Sequence, residues 1–166
     1  MNRLSLWLLP VLLCAPSFCK AEIVRLKSTA SIWLCDTSEQ ERNSSAGRAD
    51  RVKLKSIQEM AAFRFDAAPV QGREVKKATL FMRRAGEDML RHIRVSTVAA
   101  DWAEGKSDKS YGPASGATWY FADADTKKPW AWSGSQFVDA IMGNGNTLTT
   151  WTECRKFDNG WIAVDL

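Results

Sequence analysis

Met60-Ala61-Ala62-Phe63-Arg64-Phe65-Asp66 opens the stretch that decides the fold of this chain, and Lys77-Ala78-Thr79-Leu80-Phe81-Met82 continues it. Val95-Ser96-Thr97-Val98-Ala99-Ala100-Asp101-Trp102-Ala103-Glu104-Gly105 follows, and Gly116-Ala117-Thr118-Trp119 closes it. Short β-branched and aromatic runs punctuated by turn residues read as strands. In the first run Phe63 and Phe65 share a face opposite Arg64. Ala78 to Met82 is the most apolar run beyond the N-terminus and predicts a central strand. From Leu90 to Thr97, His92, Arg94 and Ser96 fall on one side, and Arg91, Ile93 and Val95 on the other. None of these residues resembles an activated nucleophile.

Outward from this stretch, the N-terminal side reads the same way. Ile23 to Lys27 and Ser31 to Cys35 predict two strands, and Asp36 to Asp50 predicts a polar surface loop. Val52-Lys53-Leu54-Lys55-Ser56-Ile57 alternates apolar with basic or polar residues, the pattern of a strand with one wet face. On the C-terminal side, Ser135 to Met142 predicts one or two helical turns, with Ser135 as N-cap and Gly143 as the stop. Trp161 to Leu166 reads as a strand in mid-course. A blunt sheet edge there would be exposed, so the expectation is a domain truncated at its C-terminal side within a longer protein. The fold class predicted is all-β, an antiparallel β-sandwich or jelly roll, in one domain over residues 22–166.

Residues 1–21 stand apart. Arg3 supplies a basic n-region, Leu4 to Ala15 an apolar stretch, and Cys19-Lys20-Ala21 ends in a small residue before Glu22. That order is a signal peptide, shorter than a comfortable membrane span, so the mature chain is expected to have no span. The expected location is secreted, periplasmic or at the cell surface. Among the 23 basic and 19 acidic residues, removal of Arg3 and Lys20 lowers the formal charge from +4 to about +2. This carries no nucleic-acid footprint. Removal of Cys14 and Cys19 leaves Cys35 and Cys154, an even pair that predicts a disulfide in an oxidising compartment. Closing so long a loop would stabilise the fold by about 4–5 kcal/mol in the chain-entropy picture.

The order of these pieces carries a resemblance. Met60 to Asp66 is similar to the "LLRFDLS" strand of the DNRLRE domain, the disaggregatase-related repeat, and Val75 to Met82 to the "SATLRL" segment that follows it. Val95 to Gly105 resembles that family's "V…V…DWTEG" turn, with Asp101, Trp102, Glu104 and Gly105 in place. Gly116 to Trp119 resembles its "VTW", and Trp161 to Leu166 its "W…DVT" strand. The family's early "NYG" turn is only loosely echoed by Asn43-Ser44-Ser45-Ala46-Gly47, and Trp119 to Thr150 is longer and richer in tryptophan than its pattern. The resemblance implies a secreted carbohydrate-binding-module-like β-sandwich attached to further domains of the same chain, with relatives associated with alginate. It also implies a domain that continues past Leu166.

Seven tryptophans follow the leader: Trp33, Trp102, Trp119, Trp130, Trp132, Trp151 and Trp161. Sugars present C–H faces that stack on aromatic rings, while polar neighbours bind their hydroxyls. Trp119, Tyr120, Trp130 and Trp132, with Lys127 and Lys128 between them, fit that pattern, and Trp130 and Trp132 share a side if the segment is extended. Arg83, Arg84, Arg91 and Arg94 on a sheet face would suit an acidic polysaccharide such as a uronate polymer. Asp123 and Asp125 are a fragment of a calcium site without its full loop signature. Asp101 and Glu104 form a nominal acid/base pair, but Trp102 and Gly105 beside them mark a structural turn. With His92 as the sole histidine, a His-cluster metal site is excluded, and no nucleophile or phosphate-loop motif is present. The function expected is non-catalytic polysaccharide binding. The alternatives are a structural or adhesive spacer, and a lyase or hydrolase built on carboxylates.

Overall fold

A computed structural model describes residues 21–87, 90–142 and 148–166. Residues 1–20 of the expected signal peptide and the expected helix stop at Gly143 lie outside them. The described chain is all-β and antiparallel, with two short α-helices and one 3-10 turn at Ala68–Val70. Its order is β1 (Ser28–Cys35), α1 (Glu39–Arg42), β2 (Glu59–Phe65), β3 (Thr79–Arg83), β4 (His92–Ser96), α2 (Phe137–Met142), β5 (Thr149–Glu153), β6 (Arg155–Lys156) and β7 (Trp161–Asp165). The strands pair as β1-β2, β3-β7-β6 and β4-β5.

Strand β1 lies antiparallel to β2, with Ile32 opposite Ala62 and Cys35 opposite Glu59, and an irregularity between Ser28 and Ala30. The inner face of this pair, Ile32, Leu34 and Ala62, forms the core together with Trp102, Ala117, Trp119, Ala122, Trp130, Phe137 and Ala140. Most of that second set belongs to a segment, residues 97–136, with neither strand nor helix. Long-range backbone bonds take the place of a ladder there. Ala103 N donates to Ala122 O, Ala117 N to Ala103 O, Trp119 N to Arg42 O and Phe137 N to Trp119 O. Buried backbone is satisfied without regular structure.

Several expectations from the sequence need correction. Ala21 to Lys27 holds no strand. The alternating run Val52 to Ile57 contributes one isolated bridge, Lys55 to Glu59, because no neighbouring strand pairs with it. Strand β3 is an edge strand of its sheet, and β7 is the central one, flanked by β3 and β6. On its second side β7 is covered by β6 only at Ile162 and Ala163. Ser135 is not the cap of α2. Its Oγ accepts from Ala131 N and Trp132 N, while Asp139 Oδ2 accepts from Gln136 N at 2.7 Å. The polar loop after β1 contains α1, which Ser38 caps by accepting from Glu41 N.

The turn from Asp101 to Gly105 is packed by backbone on both sides. A Cβ on Gly47 would stand 2.4 Å from Gly105 N and O, and one on Gly116, at φ +63°, would stand 2.6 Å from Glu104 O. Only a bare Cα fits between these chains. Gly47→Ala is accordingly expected to lower stability by about 1–3 kcal/mol through overpacking against backbone. Gly86→Ala, where the added methyl meets nothing within 4 Å, should stay within about 0.5 kcal/mol of wild type. Urea unfolding followed by circular dichroism measures both.

Candidate functional site

The tryptophans expected to form a binding platform are divided by the structure. Trp119 and Trp130 are buried, at 1 % and 2 % exposure. Trp119 Nε1 donates to Gln136 Oε1 and Trp130 Nε1 to Thr118 O, both at 2.9 Å. Both rings pack against Phe137, with centroids 6.2 Å and 4.8 Å away. Trp132 is 52 % exposed. The expected shared face of Trp130 and Trp132 required extended backbone, and the chain there is bent.

The polar candidates around them hold local structure. Tyr120 Oη donates to Glu39 Oε2 at 2.8 Å, and that bond, followed by the one from Asn43, holds the Glu39 carboxyl below its usual range. Lys128 Nζ donates to Asp101 O at 2.8 Å. Lys127 occupies a positive-φ turn position at 56° and is exposed. Asp123 accepts from Asp125 N and Thr126 Oγ1, and Asp125 Oδ2 accepts from Gly116 N. Asp123 thus closes the loop that bridges it to Lys128, and Asp125 ties that loop to Gly116. Among the described residues no three His, Cys, Asp or Glu side chains converge to hold a metal ion.

In the Asp101–Gly105 turn, Arg64 lies 4.7 Å over the Trp102 ring, pairs with Asp101 at 2.9 Å and also donates to Trp102 O. Glu104 Oε1 accepts from Ser31 N at 2.8 Å. Each acid thus anchors the turn to a different strand, Asp101 to β2 and Glu104 to β1.

Cys35 and Cys154 are both buried free thiols, and the expected disulfide is not formed. They belong to different sheets: Cys35 ends β1, whereas Cys154 separates β5 from β6. Burial, with Glu41 and Glu59 adding repulsion, pushes the Cys35 thiol up from 9.0 to about 12. Burial raises Cys154 as well.

The aromatic side chain best placed for a ligand is one that sequence reading passed over. Trp151 in β5 is 66 % exposed. In the β4–β5 register it stands opposite Arg94, while His92 stands opposite Glu153. The His92 imidazole stacks on the Trp151 indole, with centroids 5.7 Å apart and planes 4° from parallel. Ile93 and Val95 turn to the other, half-buried side. The site is thus a flat indole braced by an imidazole and flanked by a cation and a carboxylate. Arg94 makes no ion pair among the described residues. The signal that could have found it is the run Thr150-Trp151-Thr152-Glu153-Cys154, in which Thr152 and Cys154 turn inward while Trp151 and Glu153 face out.

No family model, curated protein or solved structure matches the chain. The resemblance to the DNRLRE domain therefore contributes only as a reading of the sequence.

Two outcomes are expected from this arrangement. Trp130→Ala should cost about 3–5 kcal/mol in urea unfolding, whereas Trp132→Ala should cost less than about 0.5 kcal/mol. In the alkaline range, the unfolded chain ionises Cys35 near 9.0 and the folded chain only near about 12. Protons are then lost first from the unfolded state, so stability should fall as pH rises through that window. Unfolding midpoints collected across it should decline in wild type and decline less in Cys35→Ala.

Proposed function

We propose that this chain is an exported, non-catalytic module that binds polysaccharide, with Trp151 as the stacking platform and His92, Arg94 and Glu153 as its polar surround. The observation that carries this reading is the exposed indole of β5, stacked with the His92 imidazole and placed among groups that can bond hydroxyls and carboxylates. An indole so placed offers a sugar ring a C–H stacking surface at small conformational cost. Arg94 without a carboxylate partner suits an acidic polysaccharide of the uronate type, since a guanidinium meets a carboxylate through two parallel bonds. The n–h–c order of residues 1–21 supports export, to the medium, the periplasm or the cell surface. The resemblance to the DNRLRE domain supports a sandwich-like module working beside further domains of the same chain.

The spacer reading needs all the indoles to be packed away, and the exposure of Trp132, Trp151 and Trp161, at 52 %, 66 % and 40 %, speaks against it. The lyase or hydrolase reading draws on Asp101 and Glu104, whose bonds to Arg64 and Ser31 favour a structural role.

Affinity electrophoresis through gels containing polygalacturonate, alginate, heparin or xylan tests the proposal. Wild type should be retarded by at least one acidic polymer. Trp151→Ala, an exposed substitution that leaves the fold intact, should migrate as in the empty gel. Equal retardation of the variant, or none of wild type on any polymer, would refute the assignment.

A further inference from the structure

The face that carries Trp151 does not end at β5. Cys154 N donates to Arg91 O at 2.8 Å, extending the β4–β5 ladder by one residue. Strand β6 begins at the next position and pairs with β7. Exposure alternates across this junction, with Trp151, Glu153 and Arg155 outward, Thr152 half-buried and Cys154 buried. Arg155 and Phe81 both stand opposite Ala163, and the Phe81 ring lies 6.3 Å from that of Phe157. Phe157, Phe81 and Trp161 are 43 %, 57 % and 40 % exposed, a second aromatic patch on the β3-β7-β6 sheet that the chain enters directly after β5.

We propose that the two patches are two stations of one track, so that the ligand is a continuous polysaccharide chain bound along its interior and not a short oligosaccharide or a chain end. This rests on the polysaccharide reading above and adds the length and mode of binding. From Trp151 to Phe157 the strand direction spans about 20 Å at the rise of extended backbone, which is several sugar units. The ground between the stations is polar and braced. Arg155 Nη2 donates to Asp165 Oδ1 at 2.9 Å, the same carboxylate receives Thr79 Oγ1 at 2.8 Å, and Lys77 Nζ lies 3.2 Å from it. Thr79 first, and then Lys77 and Arg155, hold the Asp165 carboxyl below its usual range. Charge stands beside a ring at both stations, with Arg94 opposite Trp151 and Arg83 opposite Trp161. A protein-binding patch is depleted of charge at its centre, whereas a glycan needs rings and bond-forming groups in alternation.

Two linked stations make the second contact intramolecular, which raises affinity steeply once the ligand reaches both. Titration calorimetry with size-fractionated oligosaccharides of polygalacturonate, alginate, heparin and xylan, from disaccharides to decasaccharides, reads this out. Affinity for the bound glycan should rise by about 100-fold or more between the shortest and longest members. Trp161→Ala and, independently, Phe157→Ser should abolish that rise and leave disaccharide affinity at its wild-type value, with circular dichroism reporting that each variant is folded. Affinity that does not grow with length, or length dependence that survives both substitutions, would overturn the track while leaving binding at Trp151 intact. Absence of binding at every length would overturn the track and the polysaccharide reading together.

Discussion

The constraint on which the structure depends is that the irregular segment, residues 97–136, must bury large indoles without the hydrogen-bond economy of a sheet. An indole N–H taken from water without a partner costs about 1–3 kcal/mol. Trp119 and Trp130 avoid that cost by bonding Gln136 and the Thr118 carbonyl. Trp102 keeps its ring under the Arg64 guanidinium, which also reaches the backbone of the turn. Once those contacts are made, the segment is fastened to β2 through Arg64 and Asp101 and to β1 through Glu104 and Ser31. The inner faces of β1 and β2 then have a partner against which to bury Ile32, Leu34 and Ala62.

The same constraint sorts the tryptophans by task. Those in the irregular segment with satisfied N–H groups are core, and their loss would be felt as instability. Those on regular strands near the C-terminus point outward because the pleat alternates and the inward positions are already filled by Ile162, Val164 and Cys154. A ligand that needs a flat, wet aromatic surface meets it on β5 and β7. The Lys127 and Lys128 region lies beside the core tryptophans, where Lys128 is already bonded to the Asp101 carbonyl.

Much of the strand content could be read from the chain because alternation depends only on which residues face water. Met60 to Phe65, Thr79 to Met82, His92 to Ser96 and Trp161 to Asp165 lie within the strands observed. The same rule failed for Val52 to Ile57, where the pattern is present but no neighbouring strand supplies a ladder. Strand order was also hidden: apolar character suggested a central place for β3, yet pairing put β7 there. The proposed binding face was the least legible part. Whether a tryptophan is core or platform depends on the backbone bend around it, and a spacing of two residues reports a shared face only for extended chain. Trp130 and Trp132 violate that condition, whereas Trp151 and Glu153 meet it.

The most direct measurement of the central claim is the set of indole ¹⁵N–¹H resonances recorded while polygalacturonate, alginate and heparin oligosaccharides are added. The account predicts that Trp151 moves, that Trp161 moves with it when the oligosaccharide is long, and that Trp119 and Trp130 stay fixed. Shifts centred on Trp119 and Trp130, or an unchanged spectrum with every glycan, would contradict it.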